Sequence, residues 1–259
     1  MKKRPAIYLL SILAALFFTV PAMSQAEDAP PPLAEMWLAT PKAGHASEFY
    51  KALAEHMQFR ADNGDPRAWQ AYRPLLGDEL NRLGVRYCCF SWADHDAYRA
   101  WEEEAEEINA HFEENVAPHA ESWAHYFEEM SWVNSHWSEA GGPYKLFAVT
   151  EFNLKPGHVG EFDAARDKMS QIALNQGWAK DHVWLWASTI GGQTQESIVI
   201  PHKDFASMAR NEDSFLRFLS KHMGDDAAAE LLKQFSNASW TTNFQIWEHV
   251  EELSMDDGN

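Results

Sequence analysis

Apolar residues follow two spacings along the chain, and the two alternate. Apolar positions three to four apart predict a helix after the first strand of each half. Those positions are Phe49, Leu53 and Met57 in the first half and Phe162, Ala165, Met169 and Ile172 in the second. Short apolar and aromatic runs, bounded by Gly, Pro or polar clusters, predict strands. Both halves therefore have the order strand–helix–strand–strand–helix–strand.

The predicted strands and second helices fall at corresponding places in the two halves. The strands are residues 34–39, 69–76, 85–92 and 123–132 in the first half and 145–154, 183–190, 197–201 and 240–247 in the second. The second helices are residues 94–116 and 203–235.

The two halves are copies of one unit. The segment Lys42-Ala-Gly-His-Ala-Ser-Glu-Phe49 recurs as Lys155-Pro-Gly-His-Val-Gly-Glu-Phe162, a shift of 113 with five of eight positions identical. A second segment, Ser122-Trp-Ala-His-Tyr-Phe127, recurs with the same Ser-Trp start and final Phe after a shift of 117. Two matches in the same order indicate an internal repeat.

The element order is that of the ferredoxin-like unit, whose sheet has helices on one face only. The last strand of the second copy points Trp240, Phe244 and Ile246 one way and Trp247 the other. A sheet that is apolar on both faces needs a second cover. We therefore expect an α+β fold in which two tandem ferredoxin-like (βαββαβ) repeats close into an intramolecular pseudo-dimeric α/β barrel, and hence a monomer.

The chain begins with the features of a secretory signal. Basic residues Lys2, Lys3 and Arg4 precede an apolar run over residues 7–20, and small residues end at Ala26. The run is shorter than the roughly 20 residues of a membrane span, so we expect cleavage, periplasmic or secreted localisation and no membrane anchor afterwards. The predicted organisation is signal peptide 1–26, leader 27–33, repeat one 34–137, linker 138–143, repeat two 144–250 and acidic tail 251–259.

Charge and composition exclude some classes of binding partner and of protein. The net charge of −18 disfavours nucleic acid and anionic membrane surfaces. A hydrophobic fraction of 46% excludes a disordered chain. Cys88 and Cys89 are adjacent in a predicted strand and should point to opposite faces, which predicts free thiols.

The Lys-Pro-Gly-His-x-x-Glu-Phe segment, together with Trp-rich strands, resembles the dimeric α/β-barrel superfamily over residues 34–250. That superfamily includes proteins similar to antibiotic-biosynthesis monooxygenases, stress-responsive barrels and haem-degrading proteins. The resemblance implies the fold. It leaves the function open, since these barrels serve many activities.

One segment is similar to haem-degrading barrels in particular. In that subgroup a helix Trp distorts the haem and a His ten positions later binds the iron, and Trp101 and His111 have this spacing. On one continuous helix the two side chains would share nearly one face. The resemblance thus implies His111 as a haem ligand. Two departures count against it: Trp37 stands where the subgroup has Asn, and repeat two has no matching Trp/His pair.

Seven aromatic and histidine residues are the candidates for a ligand pocket: Trp92, Trp101, His111, Trp123, His125, Trp184 and Trp240. Such a lining suits a flat aromatic or quinone-like molecule, in a cavity of about 300 Å³ or more. His125 is the favoured polar member, and Thr242 takes its place in repeat two. No catalytic residue is assigned. If the chain is an enzyme, the resemblance implies a monooxygenase-like oxidoreductase without a cofactor.

Other functions have less support. His119, His125, His111 and Glu128 could be grouped as metal ligands, but their spacing matches no compact zinc motif, so no metal site is predicted. His45 and His158 each follow a turn glycine and are read as helix-start residues. The remaining alternative is a partner-binding protein without catalysis, which predicts exposed Trp clusters and no pocket.

Overall fold

The computed structural model describes residues 30–138, 143–209 and 213–256. The predicted signal peptide, residues 27–29 of the predicted leader, most of the predicted linker and the last three residues of the predicted tail lie outside these ranges. Within the described ranges, no helix has the length and apolar character needed to cross a membrane.

In the part of the chain that the structure describes, each repeat contributes four strands and three α-helices. Repeat one consists of β1 (Leu33–Pro41), α1 (Ala46–Asp62), β2 (Gln70–Leu76), β3 (Leu83–Phe90), α2 (Trp92–Glu104), α3 (Glu106–Asn115) and β4 (Ala120–Met130). Repeat two consists of β5 (Leu146–Leu154), α4 (Val159–Asn175), β6 (Leu185–Ile190), β7 (Gln195–His202), α5 (Phe215–Met223), α6 (Asp225–Asn237) and β8 (Ser239–His249).

The eight strands form one closed antiparallel barrel in the order β1-β3-β2-β8-β5-β7-β6-β4. Within each repeat the order of strands is fourth, first, third, second, as in a ferredoxin-like unit. The repeats join where β2 pairs with β8 and β4 pairs with β6. The predicted fold class, two ferredoxin-like repeats closed into a pseudo-dimeric barrel, is confirmed.

The repeated Lys-x-Gly-His segment ties the first strand of each repeat to its last. Lys42 Nζ donates to the Pro118 carbonyl at 2.7 Å, and Lys155 Nζ donates to the Asn237 carbonyl at 2.6 Å. The glycine that follows each lysine has a positive φ, 82° at Gly44 and 83° at Gly157, which glycine adopts without steric cost. The motif recurs because the fold needs it twice.

Both predicted second helices are broken in two. The first breaks at Ala105, where the freed Glu102 carbonyl accepts from Ala105 N at 3.2 Å and from Asn109 Nδ2 at 3.4 Å. Glutamates crowd this point, and like charges one turn apart destabilise a helix. The second breaks at Gly224, which has φ 86°.

Cys88 and Cys89 are joined by a disulfide, so the prediction of free thiols is wrong. The alternation on which it rested holds for a regular strand. Here β3 bulges: Ala34 pairs with Cys88 and Leu33 pairs with Phe90, which leaves Cys89 as the extra residue.

The last described residues pack against repeat one, which corrects the expectation of an acidic tail from residue 251. Met255 N donates to the Trp69 carbonyl at 2.8 Å, and Ser254 Oγ accepts from Ala71 N at 2.9 Å. Leu253 and Met255 are buried in the helix–sheet core of repeat one. This segment therefore belongs to the folded core.

We predict that Leu253→Ala lowers the free energy of unfolding by about 2–5 kcal/mol, because a buried Leu is replaced by a cavity. Urea denaturation followed by fluorescence measures the change. The neighbouring exposed substitution Glu252→Ala is the control and should stay within about 0.5 kcal/mol of the parent. Equal effects of the two substitutions would show that the segment does not contribute to the core.

Candidate functional site

A cavity of about 170 Å³ lies in repeat one, between the outer face of the sheet and the helices that cover it. Its apolar wall consists of Trp37, Trp69, Trp123, Val85, Leu53, Met57 and Phe112. Its polar groups are Glu35, His56, Arg60, Glu102 and Asn109. Because Asn109 is exposed, the cavity reaches solvent beside α3.

Strand alternation sends the wall residues to the same side. Glu35 and Trp37 are two apart on β1 and so share a face. Trp37 pairs directly with Val85 of β3 and with His125 of β4. Three neighbouring strands therefore present one continuous surface toward α1 and α3.

The polar end of the cavity depends on a buried ion pair. Arg67 and Glu35 are 3% and 4% exposed, and Arg67 Nη1 donates to Glu35 Oε2. The guanidinium carbon also lies near aromatic ring centres on several sides: 3.6 Å from Tyr98, 4.5 Å from Phe90, 4.8 Å from Tyr87 and 5.6 Å from Trp69. Such cation–π contacts strengthen when water is excluded.

Two further donors hold the other oxygen of Glu35. The Trp37 indole N–H donates to Oε1 at 3.0 Å, and His125 Nε2 lies 2.9 Å from the same oxygen. Burial raises the pKa of Glu35, but the hydrogen bonds from His125 and Arg67 outweigh it and lower this pKa to about 2. Glu35 is therefore ionised at neutral pH. The His125 ring stacks on Trp37 at 3.8 Å.

A histidine pair closes the cavity on the helix side. The Nδ1 atoms of His56 on α1 and His111 on α3 are 3.1 Å apart, and His111 stacks on Phe59. Burial, together with the charges of Arg60 and His111, lowers the pKa of His56 to about 3. His56 is thus neutral at pH 7.

The residues proposed from sequence are divided among several places. Trp123 lines the cavity, His125 holds Glu35 just outside it, and His111 lies behind His56. Trp101 stacks on Tyr98 in the adjoining core.

Three candidates lie away from this cavity. Trp92 and Trp240 are 53% and 67% exposed. Trp184 is buried in the core of repeat two, where its indole N–H donates to the Asn134 carbonyl at 2.7 Å. The seven residues therefore do not form a single pocket, because the two repeats place their helix–sheet layers on separate parts of the barrel.

Sequence reasoning missed Glu35, His56 and Arg67. Glu35 had a detectable signal, since it is the one acidic residue in the strand Leu33–Pro41. Arg67 had none, because it lies in the connection between α1 and β2 and its partners are distant in sequence.

Repeat two does not carry the same polar groups. The positions that correspond to Glu35, Trp37, His56 and His125 hold Ala148, Thr150, Met169 and Thr242. The corresponding layer is packed instead by contacting aromatic rings, those of Phe152, Phe162, Trp186 and Phe235. The group of Glu35, His56 and His125 is therefore specific to repeat one, whereas repeat two buries a different ion pair, Arg166–Glu196.

The residues present do not fit haem in this cavity. An engineered cavity of about 150 Å³ admits one benzene ring, so 170 Å³ is far too small for a porphyrin. The break at Ala105 also separates Trp101 and His111 onto different helices.

The other grouping considered from sequence was a metal site. Within the described ranges, no three His, Cys, Asp or Glu side chains are gathered so as to hold a metal ion. Glu128 pairs with Arg86, and His119 lies beside His45.

We predict that His56 makes the fold sensitive to acid. Its pKa is about 3 in the folded state against 6.5 unfolded, so the unfolded chain binds more protons between these values and stability falls as pH drops below 6.5. Between pH 6.5 and pH 5 this amounts to about 2 kcal/mol. The variant His56→Met carries the residue that repeat two has at the corresponding position. Its free energy of unfolding, measured by urea denaturation, should fall between pH 6.5 and pH 5 by about 2 kcal/mol less than that of the parent protein. Identical pH profiles would contradict the assignment.

No protein-family model and no curated protein matches the chain. Among solved structures, a proposed monooxygenase from Fusobacterium nucleatum aligns with a TM-score of 0.53 at 9% identity, over 88% of this chain and 95% of that chain. An anthrone oxidase-like protein aligns with a TM-score of 0.49 at 13% identity, over 85% and 92%.

A mutant chlorite dismutase from Candidatus Nitrospira defluvii aligns with a TM-score of 0.49 at 8% identity, over 86% and 94%. At such identities the likeness concerns the fold alone. The closed eight-stranded barrel, together with the alignment to the Fusobacterium nucleatum protein, shows that this chain has a dimeric α/β-barrel type of fold, with both halves of the barrel supplied by one polypeptide.

Proposed function

We propose that this chain is exported and binds a single-ring aromatic molecule in the cavity of repeat one. The observation that carries the proposal is the cavity itself, in which Trp37, Trp69 and Trp123 form the wall and Glu35 the polar end. All eight strands find their neighbours within the chain, which supports a monomer as the active form. The partner-binding alternative expected no pocket and is therefore less favoured.

Cavity volume sets the size of the ligand. About 170 Å³ is below the roughly 300 Å³ expected from sequence, so a polycyclic ligand would not be enclosed by this cavity. A volume near 150 Å³ holds benzene. The proposal accordingly narrows from flat aromatic molecules in general to one substituted ring.

Glu35 sets the chemistry of the ring substituent. An ionised carboxylate only accepts hydrogen bonds, at about four lone-pair positions. Arg67, Trp37 and His125 supply three donors, so Glu35, which lines the cavity, keeps capacity for one more donor. A ring that carries a hydroxyl or amine donor therefore suits the site better than a hydrocarbon ring.

Phenol tests the proposal directly, with toluene as a comparison of equal heavy-atom count. We predict that phenol quenches the tryptophan fluorescence saturably and binds up to about tenfold more tightly than toluene, because its hydroxyl donates to a charged acceptor. Val85→Phe should abolish phenol binding, since the larger ring fills the cavity. The matched control is Val133→Phe at a position that is 72% exposed. Unchanged binding in Val85→Phe would exclude this cavity.

Monooxygenase-like chemistry is a second candidate, favoured by the link from Glu35 in the cavity wall to His125, which is one-third exposed. A ring hydroxyl that donates a hydrogen bond to the Glu35 carboxylate becomes more electron-rich without giving up its proton to that group. Hydroquinone and O₂ would then give hydroxyquinone and water, with the ring supplying the electrons.

For this second candidate we predict protein-dependent oxygen uptake with hydroquinone, and incorporation of one labelled oxygen atom from ¹⁸O₂ into the product. His125→Asn should slow the turnover, because the imidazole helps to hold the Glu35 carboxylate in place at the polar end of the cavity. Mass spectrometry of the product separates oxygen incorporation from simple autoxidation. Oxygen uptake without labelled product would exclude monooxygenation and leave ligand binding as the proposed function.

A further inference from the structure

We infer that the Cys88–Cys89 disulfide positions the Arg67–Glu35 ion pair, and that its reduction by a dithiol loosens the cavity's polar end. The inference deepens the proposed function, and only its ligand-binding measurement rests on that function.

The disulfide spans the bulge of β3. Along β1, consecutive residues Leu33 and Ala34 pair with Phe90 and Cys88, so Cys89 is the residue without a partner. The two joined residues are therefore the inserted one and its neighbour. A covalent bond at this point holds the extra residue in place.

The bulge brings Tyr87 and Phe90 to the same side of the sheet. Residues three apart in a regular strand face opposite sides, yet these two rings stack at 5.9 Å with 15° between their planes. Both also lie against the Arg67 guanidinium, at 4.8 Å and 4.5 Å. Without the extra residue, one of the two rings would face the barrel interior.

A change in the surroundings of Arg67 affects the cavity through a single contact. Arg67 donates to Glu35, which lines the cavity, and Glu35 pairs across the ladder with Tyr87. Removing an aromatic neighbour weakens the restraint on a charged group that is otherwise buried. The Glu35 carboxylate would then lose its fixed direction toward the ligand.

The disulfide is open to chemistry because both cysteines are only partly buried. They pack against Ala34, Met130 and Leu185 at the junction of the repeats. In the reduction, a dithiol breaks the S–S bond and supplies two electrons and two protons. The protein gains two thiols, and the reductant becomes a disulfide.

The first experiment needs no ligand. With ¹⁵N-labelled histidine, the imidazole nitrogens of His125 report on its hydrogen bond to Glu35. We expect these resonances to shift on treatment with dithiothreitol, and Cys88→Ser/Cys89→Ser to show the reduced pattern and no response to the reagent. The double variant also decides the matter if dithiothreitol fails to reach the bond. Resonances unchanged in the double variant would overturn the inference.

The second experiment measures phenol binding in the oxidised protein, the reduced protein and the double serine variant. We expect phenol to bind about tenfold more weakly to the last two. Phenol binding that is equal in all three overturns the control of binding while leaving the proposed function intact. If no form binds phenol but the His125 resonances respond, the proposed function fails and the positioning role stands.

Discussion

The ion pair between Arg67 and Glu35 is the interaction on which the candidate site depends. Two charges buried to this extent are costly to remove from water. Such a pair is stable only where both charged groups have hydrogen-bond or cation–π partners around them. Aromatic rings surround the Arg67 guanidinium, and Trp37 and His125 hydrogen-bond to the second oxygen of the Glu35 carboxylate. The Arg67–Glu35 pair therefore constrains strand β3, helix α2 and the connection after α1. The same pair makes one end of the cavity polar.

Duplication explains how such a costly arrangement can be kept. Repeat two fills the corresponding layer with contacting aromatic rings, and burial of such rings stabilises a fold strongly. Closure of the barrel links the two repeats through β2–β8 and β4–β6, so the stability of one supports the other. Each repeat buries an ion pair, Arg67–Glu35 in repeat one and Arg166–Glu196 in repeat two, and repeat one can in addition keep a cavity at some cost to its own packing.

The fold was predictable because its determinants are local and repeated, whereas the site was not. The Lys42 and Lys155 segments each set one turn and one strand anchor, and alternation then orients the strands. Arg67 offers no such pattern, since its role arises from contacts with β1, β3 and α2. The break at Ala105 and the bulge at Cys89 also defeat periodicity, and the bulge decides which rings reach Arg67.

Charge and size together limit what the cavity can do. Glu35, with a pKa of about 2, holds a proton too weakly to act as the base itself, so it can only direct a donor. His56, with a pKa of about 3, stays neutral and brings no cation into the cavity, while Arg60 is already bonded to Asp65 and Tyr98. An anionic ligand would therefore meet a fixed negative charge with no free cation among the groups that line the cavity. A neutral ring with a donor group satisfies both conditions, which is why the phenol class follows from the electrostatics as well as from the volume.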